Sequence, residues 1–229
     1  LHRFLMFRIL PLLSVLCLTA CQVSYRRGDI VIAQIDDEHH IKSRVMALPG
    51  DTIAIEDACL LVDGSDEYET SSARAEYCIS RMTPLSVVHK MQKYDNTIVD
   101  TLFRSNSRVD AKATLPVLKR HQEWNRYTYS RILANIPDSR IYPWEKVAMN
   151  NAIHMHSFVL PEKGMCVNLN KDNRLYYEPL IAQEDKRLDI QQTDTYTFRY
   201  NYYFLLNDDR LNINDSRHWG PVRADKIIR

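Results

Sequence analysis

The chain has 229 residues, enough for one sizeable hydrophobic core or for a small core carrying a large insertion. Hydrophobic residues make up 45% and charged residues 26%, with 13 Tyr and only 5 Gly, which excludes a disordered chain, a collagen-like chain and a multi-span membrane protein. Thirty basic side chains against 29 acidic ones leave a formal charge of +1, so no global field draws in nucleic acid and no nucleic-acid partner is expected.

The first predicted element is apolar. Phe4 to Ala20 reads FLMFRILPLLSVLCLTA, with His2, Arg3 and Arg8 early and an uncharged run from Ile9 to Ala20. That run is short for a membrane span, which needs about 20 apolar residues, and it suits the hydrophobic region of a secretory signal. Its end, Leu18-Thr19-Ala20-Cys21, resembles the lipobox of bacterial lipoproteins, which implies lipidation of Cys21; the other reading is a buried cysteine closing an anchor helix. Residues 1–21 are therefore expected to be a signal or anchor segment. The location that follows is the cell envelope, with the body membrane-anchored on the extracytoplasmic side. Outside that segment the cysteines are Cys59, Cys78 and Cys166, which allow at most one disulfide, Cys59 and Cys78 being nearest in sequence. No C-x-x-C spacing occurs, and neither a metal nor another cofactor is expected.

Gly28-Asp29 opens Ile30 to Ile35, a β-rich run that predicts a strand, followed by an exposed loop over Asp36 to His40. Ile41 to Leu48 predicts a second strand, ended by the turn formers Pro49-Gly50-Asp51. Thr52 to Ile55 alternates, and Leu60 to Gly64 reads as a strand entering a tight turn, so two or three antiparallel strands are expected in a row. Ser65 to Ala75 is polar and unpatterned. Leu85 to Tyr94 and Glu123 to Asn135 predict short helices, the second carrying Trp124, Tyr127, Ile132 and Leu133 near helical spacing. Ser157 to Val167 predicts strands around a turn at Pro161 to Gly164. Asp172 to Ile181 predicts a helix limited by Pro179, and Thr193 to Leu206 one or two strands.

The closing segment, Tyr203-Phe204-Leu205-Leu206-Asn207-Asp208-Asp209-Arg210-Leu211-Asn212-Ile213-Asn214-Asp215-Ser216-Arg217-His218-Trp219-Gly220-Pro221-Val222, resembles the signature G-D-N-R-x-N-S-x-D-S-R-x-W-G-x-V of type I signal peptidases, peptidase family S26. Three more motifs fall in that family's order. Arg27-Gly28-Asp29-Ile30-Val31-Ile32 resembles its R-G-D-I-V strand, Arg44 to Asp51 the tail of its K-R-x-x-G-L-P-G-D box, and Leu61-Val62-Asp63-Gly64 the L-x-V-N-G turn that follows. Ile141-Tyr142-Pro143, the turn Pro161 to Gly164 and Thr195 to Phe198 look like the long-insertion version of the family found in Bacteroidetes. The resemblance implies a mostly β fold, with a signal-peptidase-like antiparallel core from residues 22–64 and 195–229 and an α+β insertion subdomain over 65–194.

The family removes signal peptides from exported proteins with a serine nucleophile and a lysine base, a lysine that serves only where apolar burial discharges it. Counting back from Leu48-Pro49-Gly50-Asp51, Arg44 falls on the structural arginine and Ser43 on the lysine's position. Lys42 stands one place early, and a one-residue slip in a strand turns a side chain to the other face. In the closing segment Asp208, Arg210, Asp215, Ser216 and Arg217 match, and Asp208 with Arg44 and Asp215 with Arg217 are implied to be structural ion pairs of an active-site wall. Asn207 replaces a glycine, and Ile213 the serine that orients the lysine. The stretch Cys21 to Arg26 leaves no room for the family's S-M-x-P nucleophile box, and Ser24 lacks its context. Two readings stay open: a catalytically impaired relative that keeps a groove for an extended peptide or signal peptide, and an active membrane-bound serine endopeptidase. His154-Met155-His156 and His39-His40 read as strand and loop residues rather than metal ligands, and the tyrosines from Tyr196 to Tyr203 as sheet packing rather than a stacking platform.

Overall fold

The computed structural model describes residues 24–94, 97–105, 108–130, 132 and 134–228. The first strands are β1 (Ile30–Gln34), β2 (His40–Ala47), β3 (Thr52–Glu56), β4 (Cys59–Val62) and β5 (Arg74–Ile79), followed by helix α1 (Leu85–Gln92). Strands β6 (Ile98–Ser105) and β7 (Arg108–Pro116) lead into the short helix α2 (Val117–Lys119), which runs on as a wider helical turn through Arg120–Trp124. Then come β8 (Thr128–Tyr129), β9 (Met155–Val159), β10 (Cys166–Asn168) and helix α3 (Arg174–Glu184). The chain closes with β11 (Thr195–Thr197), β12 (Tyr202–Leu206), helix α4 (Ser216–Trp219), β13 (Val222–Arg223) and β14 (Ile227–Ile228). Every strand pair is antiparallel, as the resemblance implies.

The five-stranded sheet has the order β13-β12-β2-β1-β14, yet its two edge strands are separated in sequence only by the turn Ala224–Lys226. Four strand spacings of about 4.8 Å would put the edges of a flat sheet about 19 Å apart, whereas the chain from Arg223 to Ile227 reaches at most about 14 Å. The sheet must therefore curl until its edges nearly meet. Its inner face holds Val31, Ala33, Ile41, Val45, Leu205, Val222 and Ile227 in one core with Tyr25 and Tyr203.

Strand β12 is buried at all five positions because it separates two cores. Tyr203 and Leu205 point into the curled sheet, while Tyr202, Phe204 and Leu206 join the largest core with β3, β4, β9 and α3. A third core lies in the four-stranded sheet β6-β7-β5-β8, where Ala75, Tyr77 and Ile79 alternate inward against Trp124, Val88 and Met91.

The helix read over Glu123 to Asn135 is not there: Thr128 and Tyr129 pair with Ile79 and Cys78, and the Thr128 hydroxyl donates to the carbonyl of Trp124 at 2.8 Å, closing the helical turn that precedes it. The turn at Pro161 to Gly164 lies between strands, as read, and those strands belong to different sheets, since β9 pairs with β3 and β10 with β11. Helix α3 runs through Pro179 to Glu184, three residues beyond the expected end at Ile181. A proline inside a helix costs about 3 kcal/mol, and here Tyr176, Tyr177, Leu180 and Ile181 are buried on the helix face, a packing gain of larger size. Cys59, Cys78 and Cys166 are all free thiols, so the sequence-nearest pair Cys59 and Cys78 is not bridged.

Candidate functional site

Strand β2 alternates cleanly at its start: Ile41 and Ser43 are buried, and His40 and Lys42 are exposed. Its pairing with β1 is unbroken, with Ser43 opposite Val31 and Lys42 opposite Ile32; the only register shift in β2 lies farther on, where it meets β12 at Phe204 and Leu205. No bulge brings Lys42 round to the face of Ser43. The Lys42 ammonium thus lacks the apolar surroundings that a lysine base requires.

Ser43 is 3% exposed, and its hydroxyl is committed, donating to Oδ1 of Asn207 at 2.8 Å. Asn207 in turn donates from Nδ2 to the carbonyls of Asn212 and Asn214, both at 3.2 Å, and from its backbone to Asp215 Oδ2 at 3.0 Å. The Asn207 side chain thus sits beside Ser43 and ties β2 to the closing loop.

The next residue outward is Arg44. Its Nε and Nη2 donate to the two carboxylate oxygens of Asp208 at 2.8 and 2.6 Å, and its Nη1 to the carbonyl of Gly28 at 2.9 Å. The Ser72 hydroxyl adds a third donor to Asp208 at 2.6 Å. The Arg44 guanidinium beside it holds the Asp208 carboxyl below the ordinary carboxylate value.

Behind this pair the charges are fully buried. Arg217 donates from Nε and Nη2 to Asp215 at 3.0 and 2.8 Å, and from Nη1 to the carbonyls of Ala152 and Arg210. Asp215 also caps α4, accepting from the Arg217 amide, while Ser216 Oγ accepts from the Leu205 amide at 2.9 Å. Arg210 donates to Glu69 Oε1 at 2.6 Å and to the carbonyls of Ala58 and Asn207; the exposures of the Arg210 and Glu69 side chains are 1% and 0%. Glu69 completes its shell with the amides of Leu60 and Thr70. A buried guanidinium demands such a partner, because an unpaired charge in a core costs several kcal/mol.

Gly220 ends α4 at φ +81°, and a Cβ there would lie 2.8 Å from the ring of Tyr142, so the closing segment packs closely against Tyr142. The structure brings Ser43, Arg44, Asp208, Arg210, Asp215, Ser216 and Arg217 into one polar wall and leaves Lys42 outside it. Three members were missed by the sequence reading: Glu69, Ser72 and the Asn207 side chain as the partner of Ser43. Glu69 sits in a stretch read as polar and unpatterned; the one hint was arithmetic, since Arg210 and Arg217 had only Asp215 between them.

Cys21 and residues 1–21 lie outside the described residues. Among the described residues no helix is long and apolar enough to cross a membrane, and no three His, Cys, Asp or Glu side chains gather as metal ligands. The rings of His154 and His156 meet edge to face at 5.1 Å, and burial together with that neighbour lowers the His154 pKa. A family model described as signal peptidase, peptidase S26, matches residues 15–123 and 154–229. No curated protein matches the chain.

Proposed function

The chain belongs to the signal peptidase family, peptidase S26, and on that premise we propose that it is a signal peptidase I-like protein that has lost Ser/Lys scission and holds extended peptides instead of cutting them. The family implies signal peptides of exported proteins as the substrate class. Its chemistry needs an uncharged lysine amine to take the proton of a serine hydroxyl.

The observation that carries the reading is Ser43. It occupies the position that the resemblance gives to the base, it is buried, and its hydroxyl is spent on Asn207. A hydroxyl at its ordinary pKa takes no proton near neutral pH, and losing general-base help typically costs about 10² to 10⁴ in rate. The wall of Arg44, Asp208, Arg210, Asp215, Ser216 and Arg217 then serves as a scaffold for a peptide surface. On this reading residues 65–194 are an insertion on the β core of 22–64 and 195–229, and the body is held at the cell envelope through residues 1–21, with Cys21 lipidated.

The test is a signal-peptide reporter incubated with the purified full chain. Binding without cleavage is expected. Cleavage that disappears in Ser43→Ala or Ser24→Ala would overturn the reading in favour of an active membrane-bound serine endopeptidase. Mass spectrometry of the mature amino terminus is expected to find an acylated Cys21, and an intact uncleaved terminus would remove the lipid from the account.

A further inference from the structure

Away from Ser43, two hollows share the ring of Trp219. The first, about 550 Å³, lies between Trp144 and Trp219 over Ile35 and Val222; the second, about 380 Å³, runs past Leu211, Ile213 and His218. Both have Trp219 in their wall, so the two hollows lie side by side as one furrowed region of the surface.

Its aromatic walls are fixed in advance. Trp144 Nε1 donates to the carbonyl of His218 at 2.8 Å, and Trp219 Nε1 to Asn214 Oδ1 at 2.7 Å. Trp219 is also bracketed by the rings of His39 and His218, at 5.2 and 4.6 Å. A ligand entering between these rings meets surface whose ordering cost has been met by the fold.

The charges lining the furrow have one sign. Lys186, Arg223 and Lys226 border the first hollow and Arg140 the second, and no carboxylate lines either. Arg223 is matched by Asp225 and Arg140 by Asp138, but Lys186 and Lys226 are exposed and have no ion pair among the described residues. Asp36, Asp37 and Glu38 of the adjoining hairpin line neither hollow. The positive charge without an ion-pair partner at the first hollow is therefore that of Lys186 and Lys226, with Asp225 beside Lys226 already held by Arg223.

We infer that the furrow is a docking site for an acidic extended peptide bearing apolar side chains, its carboxylates on Lys186 and Lys226 and an apolar side chain between Trp144 and Trp219. The inference rests on the peptide-binding reading for the class of partner, and it uses a surface apart from Ser43. A concave furrow with pinned indoles fits a single chain rather than the flat surface of a bilayer.

The furrow supplies its own reporter. Of the three tryptophans, Trp124 is buried at 2% exposure in the insertion core, so a ligand-induced fluorescence change reads Trp144 and Trp219. The probe is a short capped peptide of alternating Glu and Leu titrated into the full chain, beside its Lys-for-Glu counterpart and vesicles of phosphatidylglycerol. A saturable change is expected with the Glu peptide, with Kd about tenfold higher for the Lys peptide and for the Lys186→Glu, Lys226→Glu double variant, and with affinity falling as salt rises. Both lysines are exposed, so an unchanged melting temperature checks that the variant is folded. Equal affinity for the two peptides, no saturable change, or a response to vesicles alone would overturn the inference. Cleavage of the signal-peptide reporter with the Glu peptide still bound would remove the scission-free reading and leave the furrow standing. Reporter binding without Glu-peptide binding would do the reverse.

Discussion

The hydroxyl of Ser43 and the amide oxygen of Asn207, 164 residues apart in the chain, are hydrogen-bonded at 2.8 Å, and on the reading proposed above each stands where the family pattern has a different residue. The two departures are complementary. A lysine at the first position would need room that a glycine at the second provides, and Asn207 closes that room while it satisfies Ser43.

Ser43→Lys is accordingly expected to destabilise the protein by about 3 kcal/mol, since it drives an ammonium into the buried position beside Asn207 with no carboxylate bonded there. Adding Asn207→Gly is expected to recover part of the loss. Urea unfolding of the single and double variants reads this directly. Equal stabilities for the wild type and Ser43→Lys would mean that the side chain escapes to solvent and that the space beside Asn207 is not closed.

Asp208→Asn is expected to cost about 1–2 kcal/mol at neutral pH, because it removes the charge from a bidentate pair with Arg44 that is only partly buried. The pH dependence has a definite sign. The folded-state pKa of Asp208 is depressed, so its contribution is complete above the unfolded value of about 3.9 and is lost as pH falls through the lower folded value. The gap in melting temperature between wild type and Asp208→Asn should therefore be constant above about pH 5 and shrink below about pH 4. A gap that persists to strong acid would show that the pair with Arg44 does not hold the charge.

Glu69→Ala leaves Arg210 buried without its carboxylate and is expected to cost about 3–5 kcal/mol, whereas Glu69→Leu combined with Arg210→Met should lose much less. The same bond, together with the Arg74 amide donating to Asp208 and the Arg210 amide to Arg74, both at 2.8 Å, links the sheet of β5 to the closing loop. In a Trp144→Phe, Trp219→Phe variant, unfolding followed by the fluorescence of Trp124, which sits in that sheet's core, and by near-ultraviolet tyrosine dichroism should give one coincident transition. Two separated transitions would show that the insertion folds independently.

Thiol labelling should rank the three body cysteines. Burial pushes the Cys59 thiol far above its ordinary value, Cys78 is half-buried, and Cys166 is exposed. Brief alkylation with iodoacetamide followed by peptide mapping is expected to mark Cys166 first and Cys59 only after denaturant is added. A linked peptide containing Cys59 and Cys78 would contradict the free thiols.

Much of the site was legible because its residues stand close together in one motif. Arg44 and the run Asp208, Arg210, Asp215, Ser216 and Arg217 were named through the resemblance of their motifs to the family's, and the period-two alternation of Thr52 to Ile55 and the turn formers Pro49-Gly50-Asp51 placed the first strands correctly. The positional argument about Lys42 needed only the alternation of a strand.

What the residue order determined, then, was everything carried by local period and local motif: the strands β1 to β4, α1, the two strands near the end, and the charges of the wall that lie within the motifs, Glu69 excepted. Only the tertiary structure decided who partners whom across long separations. Glu69 reaches Arg210 over 141 residues and Asn207 reaches Ser43 over 164, and neither pairing leaves a periodic trace in the stretch that contains it. The curl of the five-stranded sheet follows from a turn too short to cross it flat, and the passage of α3 through Pro179 from the burial of one helix face. Both are packing outcomes, fixed by what lies opposite a residue and not by what stands beside it in the chain.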